Sequence, residues 1–107
     1  FSQQKLDALL ASGQNVFVNM TAAWCITCMV NERTALSTSA VRDVFTGKGI
    51  TYLKGDWTNR NPEITRLLGK FGRSGVPLYV LYRGGREPVV LPQILTQSLV
   101  LDALGKI

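Results

Sequence analysis

The sequence predicts an α/β fold, in which a central mixed β-sheet is flanked by helices on both faces. Short apolar runs alternate with amphipathic segments in the first part of the chain, which is typical of parallel strands joined by helices. A Gly84-Gly85 hairpin signal near the end adds antiparallel strands. The 107 residues, 46% of them hydrophobic, suit one domain with its own core, so we expect a single domain over residues 1–107.

Cap residues, glycines and apolar spacing predict the elements of the first half in order. A Ser2 cap opens an amphipathic helix that Gly13 ends, and the apolar run after it fits a buried strand. A second helix begins at the cysteines, and Ser37 or Thr38 interrupts it and caps a further turn or two. The predicted elements are a helix over Ser2–Ala11, a strand over Val16–Met20, a helix from Cys25 to about Leu36 and a strand over Ile50–Lys54.

The second half begins with a strong helix signal, because Asn61 can cap a helix and Pro62 suits its first position. Gly72 closes this helix, and the strand that follows forms a hairpin with its successor. The predicted elements are strands over Leu78–Tyr82 and Pro88–Leu91, and a last helix that Thr96 caps, with Leu99, Val100, Ala103, Leu104 and Ile107 facing inward.

The charge balance is basic, with twelve Lys and Arg against seven Asp and Glu and a formal net charge of +5. These bases are scattered, and no nucleic-acid-binding signature is present, so we expect no nucleic-acid partner. The charge then favours solubility and mild steering toward an acidic partner. No apolar stretch approaches the ~20 residues of a membrane span. The opening Phe1-Ser2-Gln3 is typical of a processed product or a domain excised from a larger protein.

The only two cysteines, Cys25 and Cys28, directly follow an apolar strand and Trp24. Cysteines three residues apart in the first helical turn lie on one face, close enough for a disulfide. The helix start stabilises an anion, which lowers the thiol pKa of Cys25 and favours its nucleophilic thiolate. We expect Cys28 to be more buried than Cys25, so that it holds its proton more tightly. We therefore predict a dithiol redox pair in which Cys25 attacks a partner disulfide, Cys28 resolves it and Trp24 packs beside the partner.

Two other interpretations of the cysteines stay open. They are inert reduced thiols in an interaction domain without turnover, or part of a metal site. Zinc normally needs four ligands, and the chain has no histidine and no second cysteine pair, so we expect no single-chain zinc site and no cofactor. A copper(I)-binding module with a linear two-thiolate site, or a metal site shared between chains, remains possible.

Val76-Pro77 stands directly before the strand Leu78–Tyr82. An ordinary proline at a strand start is one interpretation. Together with the cysteine pair, it favours a cis peptide bond beside the disulfide, since only X–Pro bonds adopt cis at low cost. A cis proline there removes a donor and orients the Val76 backbone for antiparallel pairing with a substrate peptide.

Taken together, these motifs resemble the thioredoxin superfamily over essentially the whole chain. More narrowly, they resemble the C-terminal periplasmic domain of the DsbD family of membrane protein-disulfide reductases and the related suppressor-of-copper-sensitivity reductases. The middle pair Ile26-Thr27 differs from the Gly-Pro of cytosolic thioredoxin and the Pro-His of the strong periplasmic oxidant. The segments that carry the resemblance are residues 21–32, Asp56-Trp57-Thr58 and residues 71–79.

The resemblance implies a thioredoxin fold and a protein-disulfide reductase. In that family, a membrane-embedded cysteine pair donates electrons, and the domain passes them through its CxxC to a periplasmic thioredoxin-like or N-terminal reductase domain. It implies a periplasmic location, as a soluble and monomeric domain of an inner-membrane protein. A free periplasmic thioredoxin-like reductase, of the type that serves cytochrome maturation, is the alternative.

The resemblance also implies roles for individual residues. Cys25 is the attacking thiol, Cys28 the resolving thiol and Pro77 the cis proline, while Glu32 matches a family glutamate that helps to hold the thiol pKa high. Asn19 departs from the pattern, because its position usually carries a buried aspartate that assists proton transfer. Asparagine cannot exchange a proton at neutral pH, and the missing negative charge is expected to lower the thiol pKa values.

Overall fold

The computed structural model describes residues 1–107, which form a four-stranded mixed sheet. Strand β1 pairs in parallel with β2 and antiparallel with β3, and β3 pairs antiparallel with β4, giving the order β2-β1-β3-β4. The strands are β1 Val16–Thr21, β2 Thr51–Asp56, β3 Leu78–Tyr82 and β4 Val89–Val90. The predicted mixed sheet is confirmed.

Five α-helices surround this sheet, and predicted cap residues begin four of them. Thr38 accepts a hydrogen bond from the Val41 N–H at 3.4 Å. Ser2 accepts a hydrogen bond from the Lys5 N–H, Asn61 from the Glu63 N–H and Thr96 from the Leu99 N–H, over 2.8–3.1 Å. None of these helices has the length and apolar character needed to cross a membrane. The helices are α1 Gln3–Ala11, α2 Ile26–Asn31, α3 Ser39–Gly47, α4 Pro62–Lys70 and α5 Gln97–Leu104.

The two faces of the sheet bury separate hydrophobic cores, because side chains alternate along each strand. Along β1, Phe17 enters the first core, while Val16 and Val18 enter the second. Helices are thereby confirmed on both faces. The first core, under α3 and α5, holds Phe17, Ala35, Leu36, Val41, Phe45, Ile50, Tyr79, Leu81, Leu91, Leu95, Val100, Ala103 and Leu104. The second core, under α1 and α4, holds Leu6, Val16, Val18, Met20, Leu53, Trp57, Ile64, Leu67, Leu68, Leu78 and Val80.

The structure differs from the predicted elements in three places. The second helix does not run evenly to Leu36: a π-helical turn over Glu32–Leu36 follows α2, with the Ser37 N–H bonded to the Glu32 carbonyl. Strand β2 extends to Asp56, two residues beyond the prediction. Strand β4 has only two residues. Proline has no N–H to donate, and Pro88 and Pro92 stand close to both ends of β4.

Candidate redox site

Cys25 and Cys28 are joined by a disulfide bond, with their Cα atoms 5.2 Å apart. Cys25 is the N-cap of α2, and its sulfur accepts the Cys28 N–H at 3.1 Å. Cys28 is the more buried of the two, with 2% of its surface exposed against 7% for Cys25. A sulfur that accepts an orphan helix N–H is also placed to carry negative charge once the disulfide is reduced.

The segment before β3 lies against the disulfide, as the sequence predicts. The two cysteines form a small buried cluster with Ala22, and half-buried Val76 packs against it. Pro77 is buried, and the Val76–Pro77 peptide bond is cis. The structure thus brings four of the predicted site residues together, although they lie some fifty positions apart in the chain.

Trp24 stands at the rim of the pair, half exposed, and the loop after β2 holds it there. Its indole Nε1–H donates to the Thr58 carbonyl at 3.1 Å, and the neighbouring Ala23 N–H donates to the Thr58 hydroxyl at 2.8 Å. The Trp24 ring also lies 6.0 Å from the buried ring of Trp57, centroid to centroid. Trp57 itself belongs to the second core.

Thr58 is itself fixed by Asp56. One carboxylate oxygen of Asp56 accepts both the N–H and the hydroxyl of Thr58. The hydroxyl bond first, and then the backbone bond, hold the pKa of Asp56 below its usual value. The Asp56 carboxylate therefore stabilises its own loop, and the loop in turn fixes Trp24, which precedes Cys25.

Arg60 completes this loop. Its guanidinium carbon lies 5.4 Å from the centroid of the Trp24 ring and 5.0 Å from that of the Trp57 ring, within cation–π range of both. Its φ of 54° makes it the one non-glycine residue with a positive φ. Sequence reasoning did not identify Arg60, and it named Thr58 only as part of the segment Asp56-Trp57-Thr58, because neither residue belongs to the cysteine motif.

Exposed apolar side chains lie on α2, directly before the cysteine pair, and on the segment before α5, and we call this group the apolar rim. Each member exposes half or more of its surface. Those on α2 lie beside a groove of about 270 Å³ that ends at Arg33 and Thr34. The apolar rim consists of Trp24, Ile26, Met29, Val30 and Ile94.

Asn31 ties the end of α2 to the segment that carries Ile94. Its amide nitrogen donates to the Tyr79 hydroxyl at 2.9 Å and to the Gln93 carbonyl at 2.7 Å, and its oxygen accepts the Leu95 N–H at 3.0 Å. The side chain is 1% exposed. Sequence reasoning missed this role, although Asn31 stands three residues after Cys28, at the spacing of one helix face.

Asn19 is buried in the sheet beneath this site. Its amide nitrogen donates to the Tyr52 hydroxyl at 2.7 Å, and its oxygen has no hydrogen-bond partner. Neither atom bonds a cysteine. Burial, which outweighs the Asn19 hydrogen bond, raises the pKa of Tyr52, and the Glu32 charge adds to it.

Glu32 has a cation rather than a cysteine as its partner. Its carboxylate lies 2.6 Å from the Lys54 ammonium, and both side chains are partly exposed. The two residues line a cavity of about 520 Å³ together with Ala22, Ala23 and Met29. Glu32 therefore borders the backbone that leads into Cys25 without touching the sulfurs.

A mixed sheet between helices, with a helix-capping disulfide beside a cis proline, defines the thioredoxin-fold class of thiol–disulfide oxidoreductases. A family model described as thioredoxin-like matches residues 1–84, and the chain belongs to that family.

Solved structures agree on the fold. The reduced C-terminal domain of DsbD from Neisseria meningitidis superposes with a TM-score of 0.78 at 19% identity, covering 98% of this chain and 96% of that one. A thioredoxin from Thermus thermophilus gives 0.76 at 20% identity, covering 99% and 83%. Trxlp from Edwardsiella tarda gives 0.68 at 27% identity, covering 97% and 94%. No curated protein sequence matches this chain.

Proposed function

We propose that this chain is a protein-disulfide reductase domain of the DsbD type. It takes electrons from a membrane-embedded cysteine pair and passes them to the disulfide of a periplasmic thioredoxin-like or N-terminal reductase domain. The observation that carries the proposal is the Cys25 sulfur at the start of α2, which accepts the Cys28 N–H beside an exposed apolar rim. The similarity to the DsbD C-terminal domain, over almost the full length of both chains, supports the specific role.

The reaction runs through a mixed disulfide. In the reduced domain, the Cys25 thiolate attacks one sulfur of the partner disulfide, forms a bond to it and releases the other partner sulfur as a thiolate. The Cys28 thiolate then attacks Cys25, and the second partner sulfur leaves. Two electrons pass to the partner, two protons convert its sulfurs to thiols, and the domain is left with the Cys25–Cys28 disulfide. Two electrons from the membrane-embedded cysteine pair then reduce the Cys25–Cys28 disulfide again.

Residues around the pair position the partner. The apolar rim, with Trp24 foremost, covers the partner surface around its disulfide. Val76 is half-buried against the cysteines, and its backbone offers antiparallel pairing to an extended partner segment. Pro77 has no N–H and stays out of that pairing. Asn19 and Glu32 adjust proton handling at Cys28 from a distance, since neither bonds a sulfur.

The setting of the domain is part of the proposal. Residues 1–107 act as one monomeric, soluble domain of an inner-membrane protein, facing the periplasm. A free periplasmic reductase, of the type that serves cytochrome maturation, is the second candidate, and the similarity to the Thermus thermophilus thioredoxin favours it. Membrane helices encoded before Phe1 in the full-length gene support the first candidate, and their absence supports the second.

Equilibration of the Cys25–Cys28 pair against dithiothreitol and glutathione buffers tests the proposed direction of electron flow. A reductase is expected to have a reduction potential near that of thioredoxin, about −270 mV. A value near about −120 mV, as in the strong periplasmic oxidant, overturns the proposal. Cys28→Ser is the companion variant. It is expected to accumulate a mixed disulfide with a partner, whereas Cys25→Ser forms none.

A further inference from the structure

The Arg60 guanidinium near the redox pair is held by two aromatic rings and forms no ion pair within the chain. The indole rings of Trp24 and Trp57 lie within 5.4 Å and 5.0 Å of it. Contacts with the faces of aromatic rings leave the planar N–H edge of a guanidinium open to carboxylates, which it binds with two parallel hydrogen bonds. The positive φ of Arg60 fixes where the side chain leaves the backbone, and Asn or Gly would adopt that φ more readily.

No acidic side chain of the chain neutralises this charge. The one ion pair in the structure joins Lys54 and Glu32. Asp56, four residues before Arg60, is held by Thr58 through two hydrogen bonds, and Glu63, three residues after it, accepts the Gln3 N–H. Arg60 is also exposed, so its N–H groups face solvent. The free cation therefore stands ready for an anion supplied from outside the chain.

The position of Arg60 determines which part of a partner it meets. Trp24 directly precedes Cys25, so a disulfide that approaches Cys25 places its flanking residues over the exposed indole and beside the guanidinium. We propose that Arg60 recognises carboxylates that flank the partner's disulfide, so that the redox site favours acidic protein segments. This inference rests on the proposed function and adds the chemistry of its partner. The net charge of +5 also attracts acidic partners to the chain.

Three synthetic peptides of equal length test the inference, each closed by one disulfide and flanked by paired Asp, Ser or Lys residues. The reduced wild-type domain is expected to reduce the Asp peptide about tenfold faster than the Ser peptide, and the Lys peptide most slowly. Arg60→Asn, which suits the positive φ but removes the charge, is expected to bring the Asp and Ser rates together. Arg60→Lys keeps the charge but not the planar fork, and is expected to retain part of the preference.

Arg86→Asn is the matched control. It also removes one positive charge, but in the turn after β3, at the end of that strand opposite to Pro77. It is expected to keep the wild-type order of rates. Added salt is expected to narrow the preference of the wild type. Equal rates for the three peptides with the wild type, or equal slowing of all three in Arg60→Asn, overturn the inference. If the wild type reduces none of the peptides, the proposed function itself fails.

Discussion

The two faces of the sheet are built differently. The face toward α3 and α5 buries polar side chains among its apolar ones, including Asn19 and the hydroxyl of Tyr79. The face toward α1 and α4 has an apolar core, with the Trp57 indole N–H satisfied by Thr65 at its edge. Buried polar side chains that hydrogen-bond to each other specify one arrangement of the packed elements, whereas apolar packing tolerates several arrangements. The first face therefore positions α2 through polar contacts, whereas the second mainly stabilises the fold and reaches the site through Trp57, which contacts Trp24 and Arg60.

A truncation in the second core at a residue other than Trp57 gives the largest expected effect and tests the stabilising role of this core. Leu6→Ala removes a side chain that is 1% exposed, and we expect a loss of about 2–5 kcal/mol in the free energy of unfolding. Under native conditions the rate of disulfide exchange with the Ser peptide is expected to be unchanged. Urea unfolding and stopped-flow exchange measure the two quantities. A rate that falls together with stability contradicts the division between the faces.

Asn31→Ala breaks the first face where α2 is tied down. It removes three hydrogen bonds and leaves the Leu95 N–H buried without a partner, for an expected loss of about 2–3 kcal/mol. The exchange rate is expected to fall as well, because α2 contains Cys28 and is capped by Cys25. Asn59→Ala, at an exposed asparagine, is the control and should change stability by less than about 0.5 kcal/mol. An unchanged exchange rate in Asn31→Ala contradicts a positioning role.

Asn19→Asp tests whether the first face also controls protonation. A carboxylate at this position adds negative charge beneath the site, and we expect the pH–rate profile of exchange to move up by about one pH unit. Glu32→Gln is the companion variant and is expected to alter the profile more. Rates are measured from pH 5 to 9 on variants that remain folded. Superimposable profiles for wild type and Asn19→Asp would sink this prediction.

Tyr79→Phe has the smallest effect at neutral pH, a loss of about 1 kcal/mol with the hydrogen bond from Asn31. Burial raises the pKa of Tyr79 from 10.0 to about 12. Because the folded pKa is the higher one, the neutral phenol contributes stability that is complete below pH 10 and lost as pH rises through 12. The gap between wild type and variant should therefore shrink in urea unfolding at pH 11. An equal gap at pH 7 and pH 11 contradicts the assignment.

Local signals in the sequence were sufficient for most of the fold. Ser2, Asn61 and Thr96 begin the helices that they were predicted to cap, because capping depends on a few neighbouring residues. The π-helical turn after α2 and the antiparallel pairing of β3 with β1 had no such signal. The pairing of β3 with β1 joins residues some sixty positions apart in the chain, as Asn19 and Tyr79 are, and single-sequence patterns do not report such contacts.

The candidate site divides in the same way. Cys25 and Cys28 are predicted from the cysteine motif, and Pro77 from its combination with that motif. The structure brings the three residues together. Arg60 and Asn31 could not be predicted to act there. The surroundings of Arg60 arise because the loop after β2 folds over Trp24, and those of Asn31 because the segment before α5 passes across the end of α2.

The short last strand has a consequence for how chains meet one another. Exposed sheet edges are templates on which a second chain can add a strand. Here β4 offers two residues between Pro88 and Pro92, and the opposite edge, β2, places the charged Lys54 in its middle. Both edges of the sheet therefore disfavour strand addition between copies of this chain at high local concentration. The proposed pairing of an extended partner segment with the Val76 backbone therefore meets little competition from strand addition by other copies of the chain.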